Sequence, residues 1–358
     1  MFNPLVPYNN LPLLPPSVEL ETKKVLRAVI TASRALAELN VKANEIPNQT
    51  ILLNAITLQE AKDSSQIEHI FTTHDNLYQA FSTDQNKLDP NTKEVLRYRK
   101  ALWNGYKNLS KRPLSTNTFI SIVQTIKENN FGIRNFPGTK IVSNHNTIYT
   151  PPQGDQLIRN LLQNLETYIH NKSSVDVLIR LAVMHYQFEA IHPFMDGNGR
   201  TGRIINILYL VEMGLLKSPI LYLSKYILEN KSEYYRYIHA VTENNEWENW
   251  ILFILRGIEQ TAFNTIRKID QIRNLITLTT AQIKKNNLPK TVGSNEFVDL
   301  LFEQPYCKVK FILDRGIAKR HSASTYLKQL ENINILISHK IGREILYLNR
   351  KLFEILIN

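Results

Sequence analysis

The sequence feature that most constrains this chain is the twelve-residue segment 192–203, HPFMDGNGRTGR. Its three glycines allow main-chain N–H groups to approach an anion closely. A helix that begins near Asn198 or Gly199 would point its positive end toward the same anion. Arg200 and Arg203 are three positions apart, so both can extend from one face of that helix. The segment therefore predicts a turn and a helix start that together bind phosphate groups.

Two other side chains of the segment supply metal and acid–base chemistry. Asp196 offers the oxygen ligands that Mg²⁺ prefers when it is bound to phosphates. His192 titrates near neutral pH and can remove a proton from a reacting group. A plain polar turn would not need a base, a carboxylate and two arginines together. We therefore interpret the segment as a site that holds a metal-bound polyphosphate against a general base.

The segment resembles the signature of Fic proteins, HPFxDGNGRxxR, at every fixed position. This resemblance implies a mainly α-helical Fic fold with a short β-hairpin flap. It also implies an enzyme that transfers AMP from ATP to a Ser, Thr or Tyr hydroxyl of a target protein or of itself. His192 would then be the catalytic base and Asp196 the Mg²⁺ ligand. The residues implied to bind the nucleotide are Gly197, Asn198, Gly199, Arg200, Thr201, Gly202 and Arg203.

Two adjacent tyrosines extend the resemblance toward the adenine. Tyr234 and Tyr235 match the aromatic pair that lies near the base in the family, and aromatic faces bind bases by stacking. Both rings could instead pack in the hydrophobic core. Thr242 stands seven residues after Tyr235, where we would expect Asn in some relatives. Because of this departure, the resemblance does not assign one of the expected contacts to adenine.

Residues 131–152 have a composition that differs from the helical segments around them. They contain β-branched residues, glycines, asparagines and a final Pro-Pro pair, which predicts a short β-hairpin. The family resemblance implies that this flap pairs with an extended segment of the target protein. An ordinary hairpin that covers the core is the alternative. The residues that would form the docking edge are Ile141, Val142, Ser143 and Asn144.

A second motif lies upstream of the signature. Ser64 and Glu68 are four positions apart, hence on one helix face, and resemble the inhibitory motif [S/T]xxxE[G/N] of Fic proteins. The resemblance implies that Glu68 pairs with Arg203 and withholds it from the γ-phosphate. His69 replaces the usual Gly or Asn, which could disturb the helix end or make the pairing pH-dependent. In some relatives the same glutamate positions a water that removes AMP, so this reverse activity stays open.

Helical spacing predicts a helix from Thr50 to about Ile70 and a long helix from Trp247 to about Lys285. Together with the chain breaks, it divides the sequence into four predicted parts. A polar stretch, KKNNLPK, marks the linker before the last part. The parts are an N-terminal helical region with the inhibitory helix (1–110), a Fic catalytic core (111–260), a connecting helix and linker (261–290), and a winged helix-turn-helix (291–358).

The last part contains three short helical patterns followed by a two-stranded wing, Ile335 to Ser338 and Glu344 to Asn349, and this order resembles a winged helix-turn-helix. Segment 322–328 resembles a recognition helix. Residues 291–358 contain ten Lys and Arg against seven Asp and Glu, a weak excess for DNA binding. The unit could equally serve protein docking or dimerisation.

Composition limits the cell compartment and the partners. The net charge of +11 attracts phosphate-rich partners over long range but does not define a site. The single cysteine, Cys307, excludes an intramolecular disulfide and fits a reducing cytosol. Since no apolar run reaches membrane-spanning length, we expect a cytoplasmic protein without a membrane partner. Family resemblance makes a homodimer the expected assembly.

Two alternatives stay open. One is a different transferred group on the same scaffold, such as UMP, phosphocholine or the γ-phosphate. The other is a transcriptional regulator that binds DNA through residues 291–358 and uses the Fic site as a nucleotide sensor.

Overall fold

A computed structural model describes residues 2–46, 48–80, 88–143, 146–341 and 344–357, without the side chain of Ser143. It is mainly α-helical and contains a two-stranded and a three-stranded antiparallel sheet among these residues, which confirms the predicted fold class. Within the described residues, no helix combines the length and the apolar character that crossing a membrane requires.

The N-terminal region consists of four helices. They are α1 (Lys23–Ala43), α2 (Gln49–Ile67), α3 (His74–Ala80) and α4 (Pro90–Leu109). Asn48 caps α2 by accepting a hydrogen bond from the Thr50 N–H at 3.0 Å. Helix α2 is buried on nearly all sides, including polar residues such as Ser64. It ends earlier than the predicted Ile70 because His69 adopts a left-handed conformation with φ 62°.

The central region contains the flap and the signature. Its elements are α5 (Thr116–Lys127), β1 (Ile141–Ser143), β2 (Asn146–Tyr149), α6 (Asp155–His170), α7 (Val177–Ile191) and α8 (Asn198–Glu212). The strands pair antiparallel, with Val142 opposite Thr147. The hairpin is shorter than the predicted 131–152, since residues 131–140 contain two glycines and Pro137, which do not favour strand pairing.

A long helix supports the central region. The elements after the signature are α9 (Leu223–Glu229), α10 (Lys231–Asn244) and α11 (Trp247–Lys285). The 39-residue helix α11 packs against α1, α7, α9 and α10. Its length agrees with the sequence prediction. The proposed boundary between residues 260 and 261 lies within this helix, and the division into four parts stays a prediction.

The C-terminal unit combines short helices with a three-stranded sheet, and its assignment as a winged helix-turn-helix stays a prediction. It contains α12 (Asn295–Phe302), β3 (Tyr306–Cys307), α13 (Val309–Asp314), α14 (Arg320–Asn332), β4 (Ile337–Ile341), β5 (Glu344–Leu348) and α15 (Arg350–Ile357). The strand order is β3-β5-β4, and Gly316 turns the chain between α13 and α14 with φ 68°. The first wing strand begins at Ile337 rather than at the predicted Ile335, because Ile335 donates its N–H to Leu330 at the end of α14.

This unit contacts the helix that carries the predicted inhibitory motif. The Asn48 side chain at the start of α2 donates to Glu303 at 3.0 Å. Further along, buried Lys268 of α11 donates to Gln59 of α2 at 2.9 Å and to the Leu356 carbonyl of α15 at 3.0 Å. The start and middle of α2 are therefore tied to the C-terminal unit, whereas its end faces the signature.

Candidate active site

The signature histidine lies where α7 ends. His192 has a left-handed conformation, φ 49° and ψ 59°, and its N–H donates to the Phe188 carbonyl at 3.0 Å. Arg134, which is 2% exposed, donates through Nε to the His192 carbonyl at 2.7 Å. The Arg134 N–H also donates to the Pro193 carbonyl at 2.9 Å. Arg134 thus fixes the main chain beneath the imidazole, and no pattern in the sequence pointed to it.

The next turn of the signature is closed by its own asparagine. Asn198 accepts a hydrogen bond from the Phe194 N–H at 2.8 Å and donates to the Phe194 carbonyl at 2.8 Å. Gly197 precedes α8 with φ 83°, a conformation that favours glycine. The Asn198 side chain therefore shapes the loop, and only its main chain faces the position predicted for the anion. The first N–H groups of α8 have no partner within the helix.

Arg203 is held by the end of α2. Its Nε donates to Ser64 Oγ at 2.8 Å, and its Nη2 donates to the Ser64 carbonyl at 2.9 Å and to Glu68 Oε1 at 2.8 Å. The guanidinium is 3% exposed. The predicted pairing of Glu68 with Arg203 is thus present in the geometry. A Cβ added to Gly199 would lie 2.4 Å from Glu68 Oε1, so the carboxylate lies directly against the start of α8.

The residue after Glu68 explains why the motif favours Gly or Asn. His69 has φ 62°, and the Ile70 N–H donates to the Ser65 carbonyl at 3.0 Å, which closes the helix end. A left-handed conformation costs least for Gly and is also tolerated by Asn and His. His69 therefore occupies this position without extending or breaking α2.

Arg200 belongs to a second charge cluster. Its Nη1 lies 2.5 Å from Glu94 Oε1 of α4, and Lys127 Nζ lies 2.9 Å from the same oxygen. Lys127 also contacts Asp196 Oδ2 at 2.6 Å, while Arg200 Nη2 is 3.5 Å from Asp196 Oδ1. Arg200 Nε is buried and has no hydrogen-bond partner among the described residues. Neither Glu94 nor Lys127 was predicted, since each is one of many charged residues on an amphipathic helix.

The charges in the two clusters follow from burial and pairing. Burial lowers the pKa of His192 to about 4, and the nearby Arg134 charge adds to this effect. Burial alone would raise the pKa of Glu68, but the Arg203 guanidinium outweighs it and holds that pKa below its ordinary value. The pKa of Glu94 is also lowered, since hydrogen bonds from Arg200 and Lys127 outweigh its burial. At neutral pH the imidazole is therefore uncharged and both glutamates are ionised.

A cavity of about 300 Å³ joins several predicted residues. Its wall includes His192, Gly199, Arg203, Glu68, Tyr234, Tyr235, Ile141, Glu189 and Thr242. The cluster of Asp196 and Arg200 lies outside this wall. Thr201 is fully buried in α8, and Gly202 packs against the side chains of Phe188 and Glu189.

The two tyrosines differ in their environment. Tyr234 is 3% exposed, and its hydroxyl is 2.9 Å from Nε2 of the buried His185. Tyr235 is 38% exposed, and its ring meets that of Tyr234 edge to face at 5.2 Å. The Tyr234 ring therefore supports the wall from the core, and the Tyr235 ring is the more accessible to a base.

The flap covers one side of the cavity. Ile141 of β1 and Ile148 of β2 line it, whereas Val142 is exposed. Of the other predicted docking residues, Ser143 belongs to β1 by its main chain, and Asn144 lies outside the described residues. The docking role of this edge stays a prediction.

Three family models match successive parts of the chain. The description "Fic/DOC family N-terminal" matches residues 26–107, "Fic/DOC family" matches residues 113–210, and "Protein adenylyltransferase SoFic-like, C-terminal domain" matches residues 275–352. These ranges contain Ser64 and Glu68, the signature, and most of the C-terminal unit, respectively.

Two protein adenylyltransferases are similar in sequence to about a quarter of this chain. A probable protein adenylyltransferase of Aquifex aeolicus is 39% identical over 79 residues, which cover 22% of this chain and 24% of that protein. The protein adenylyltransferase fic-1 of Caenorhabditis elegans is 30% identical over 91 residues, 25% of this chain and 17% of that protein. The chain thus spans about a quarter or less of the length of these relatives.

Solved structures share the fold over a larger range. A Fic family protein from Desulfovibrio desulfuricans G20 has a TM-score of 0.58 at 17% identity and covers 93% of this chain and 98% of its own. A fragment of Fic-1 from C. elegans has a TM-score of 0.53 at 20% identity, over 68% of this chain and 74% of its own. At these identities the similarity concerns the fold alone. With the three family models in succession and the complete signature at 192–203, the chain belongs to the Fic/DOC family.

Proposed function

We propose that this protein is an adenylyltransferase that moves AMP from ATP to a Ser, Thr or Tyr hydroxyl of a target protein or of itself. The observation that carries the proposal is the cavity in which the uncharged His192 imidazole lies beside the start of α8 and the buried Arg203. The relatives named as protein adenylyltransferases support the same reaction.

The reaction balances around one phosphorus atom. The hydroxyl oxygen of the target forms a bond to the α-phosphorus of ATP, and the bond from that phosphorus to the bridging oxygen of the β-phosphate breaks, which releases pyrophosphate. The hydroxyl proton passes to a ring nitrogen of His192. Because the pKa of His192 is about 4, the imidazole is free to accept this proton at neutral pH.

The start of α8 would bind the phosphates of ATP. Its free N–H groups and the positive end of the helix favour an anion there, and Gly199 leaves the space that a Cβ would fill. The unpartnered Arg200 Nε offers a buried donor that fits a phosphate oxygen. These groups stabilise the charge that develops on the leaving pyrophosphate.

The donor set fits a magnesium ion only in combination with the nucleotide. The described residues contain no group of three or more side chains that could hold a metal by themselves. Asp196 supplies one largely exposed carboxylate, and Mg²⁺ bound to phosphates requires only one or two. When bound, Mg²⁺ would neutralise phosphate charge. Asp196 is the residue that would hold it, and Lys127 and Arg200 keep this carboxylate in place.

We propose further that Glu68 inhibits the enzyme. Its carboxylate lies against Gly199 at the start of α8 and accepts from Arg203, so one side chain occupies the anion position and neutralises a phosphate ligand. ATP would then bind with its α-phosphate displaced from the attacking oxygen, and a misplacement of about 1 Å can reduce a rate about a hundredfold. The flap edge from Ile141 to Val142 would hold the target segment by main-chain pairing.

The proposed reaction can be tested with ATP labelled at either the α- or the γ-phosphate. We expect the full chain, in wild type and in a Glu68→Gly background, to incorporate the α-label and not the γ-label. His192→Ala should reduce the incorporation by about 10²- to 10⁴-fold because it removes the base. His321→Ala, at an exposed position of α14, is the matched control and should retain activity.

Transfer of the γ-label would instead indicate phosphorylation. Incorporation of α-label by His192→Ala at the wild-type level would contradict the role of His192 and favour the view of the site as a nucleotide sensor.

A further inference from the structure

Glu189 is a charged side chain of the cavity wall for which the proposed reaction has no role. It lies on α7, three residues before His192, and its Oε1 is buried without a hydrogen-bond partner among the described residues. The Gly202 side of α8 closes over it, since a Cβ added to Gly202 would lie 2.4 Å from this oxygen. The residue as a whole is partly accessible, but burying one carboxyl oxygen without a partner is costly, so its position requires a reason.

The nearest charges do not supply that reason. The hydrogen bonds that Arg203 donates go to Ser64 and Glu68. Burial raises the pKa of Glu189 to about 7, with Arg203 opposing this rise and Glu68 adding to it. A further anion such as a phosphate would be repelled at this position. The oxygen therefore fits a ligand group that is neutral and donates hydrogen bonds.

The position of Glu189 along the cavity indicates which group that is. The cavity wall includes Gly199 and Arg203, where the phosphates would bind, and the accessible ring of Tyr235. Glu68 lies against Gly199 and Glu189 lies against Gly202, three positions further along α8, so Glu189 is about one helical turn from the position proposed for the phosphates. In a nucleoside triphosphate the ribose connects the phosphates to the base. Its 2′- and 3′-hydroxyls are neutral donors.

We propose that Glu189 is a specificity residue that accepts a hydrogen bond from a ribose hydroxyl of the nucleotide. This inference rests on the proposed function, because it assumes that a nucleotide binds with its phosphates at α8. A carboxyl group keeps an acceptor oxygen in both protonation states. The site would therefore select ribonucleotides over deoxyribonucleotides by leaving a buried acceptor unsatisfied when the hydroxyl is missing.

The test compares the binding of ATP, 2′-deoxy-ATP and 3′-deoxy-ATP to the full chain by titration calorimetry. We expect the wild type to bind ATP about ten- to a hundredfold more tightly than at least one of the deoxynucleotides. Glu189→Ala should bind the three nucleotides with nearly equal affinity. Glu189→Gln, which keeps a carbonyl acceptor, should restore part of the preference. Thermal unfolding of both variants with ATP absent would show that they fold.

Two further variants separate this role from a general effect on the cavity. Gly202→Ala forces the carboxyl group to move and should reduce the preference for ATP while keeping Glu189. Glu233→Gln removes an exposed carboxylate of α10 that pairs with Arg236 and should leave the preference unchanged. Equal affinities in the wild type, or a full preference in Glu189→Ala, would overturn the proposal.

The outcome distinguishes this inference from the proposed function. Selection for ribose without transfer of α-label would support the role of Glu189 and overturn the proposed reaction. Transfer of α-label without selection for ribose would support the proposed reaction and overturn the role of Glu189. Failure of the wild type to bind any of the three nucleotides would overturn both.

Discussion

Arg200 and Arg203 extend from the same helix, three positions apart, and both are almost completely buried against a glutamate of another helix. Their partners differ. Glu94 is shared between Arg200 and Lys127, and its side chain is 16% exposed. Among the described residues, Glu68 forms an ion pair with Arg203 alone; it lies at the end of α2, and its side chain is 35% exposed. If a phosphate replaced Glu68 at Arg203, the Glu68 carboxylate could turn toward solvent. If a phosphate replaced Glu94 at Arg200, Glu94 would still be paired with Lys127.

The comparison shows how one sequence motif can contain a replaceable and a permanent ion pair. Removing one partner of a buried pair is costly when the other charge stays buried. For Arg203 the incoming phosphate would replace the lost carboxylate, so the exchange leaves no unpaired charge. For Arg200 the pair with Glu94 leaves Nε free for a ligand, so binding requires no exchange. We therefore expect Glu68 to act as a regulatory partner and Glu94 as a positioning partner.

The largest expected effect follows the removal of the replaceable partner. Glu68→Gly should raise the incorporation of α-label by about a hundredfold, because Arg203 and the start of α8 become available to the nucleotide. The measurement is the initial rate of label incorporation into the full chain. Glu45→Gly, which removes an exposed glutamate paired with Arg273 after α1, is the matched control and should leave the rate unchanged. No increase in a folded Glu68→Gly variant would remove the inhibitory role.

Changing the permanent partner should have a smaller effect, in the opposite direction. Glu94→Gln keeps the shape of the side chain but removes the charge beside Arg200, so we expect about a tenfold loss of transfer in the Glu68→Gly background and a loss of about 1.5–3 kcal/mol in the free energy of unfolding. Label incorporation and urea unfolding measure the two effects. A rise in transfer comparable to that of Glu68→Gly would end the distinction between the two pairs.

The smallest expected effect is that of pH. Because burial lowers the pKa of His192 to about 4, its imidazole stays uncharged, and kcat/KM of Glu68→Gly should show no inflection from His192 near pH 6.5. The pKa of Glu68 is held below its ordinary value of 4.5, so its pair with Arg203 is present above that pH and is lost only as pH falls through the lowered value. Inhibition of the wild type should accordingly persist between about pH 5.5 and 8. An inflection near 6.5 that vanishes in His192→Ala would contradict this expectation.

The signature illustrates how much of the site the sequence contains. Local order within 192–203 predicted the helix start at Asn198, because glycine conformation and helix ends depend on neighbouring residues, and the anion position at that start stays a prediction. The spacing of Ser64 and Glu68, with the family resemblance, predicted the pairing with Arg203. The long helix α11 was predicted because apolar residues recur at helical spacing along its whole length.

Other functional neighbours could not be predicted from the sequence. Arg134, Glu94 and Lys127 lie far from the signature along the chain, and each resembles an ordinary charged residue until the fold places it beside a buried partner. The end of α2 at Ile67 depended on the left-handed His69, which helical spacing does not reveal. The short helices α3, α9 and α15 were also missed, although α12 and α13, which are no longer than these, were predicted.

The sequence by itself determined the family and the mainly helical fold, since these depend on residue types at short spacing, and it predicts the chemistry of residues 192–203. Only the tertiary structure decided which side chains are buried beside one another, and hence that Arg200 is paired with Glu94 and that Glu189 Oε1 has no hydrogen-bond partner among the described residues. The reason is that the cost of burying a charge depends on its surroundings in three dimensions, which residues distant along the chain provide.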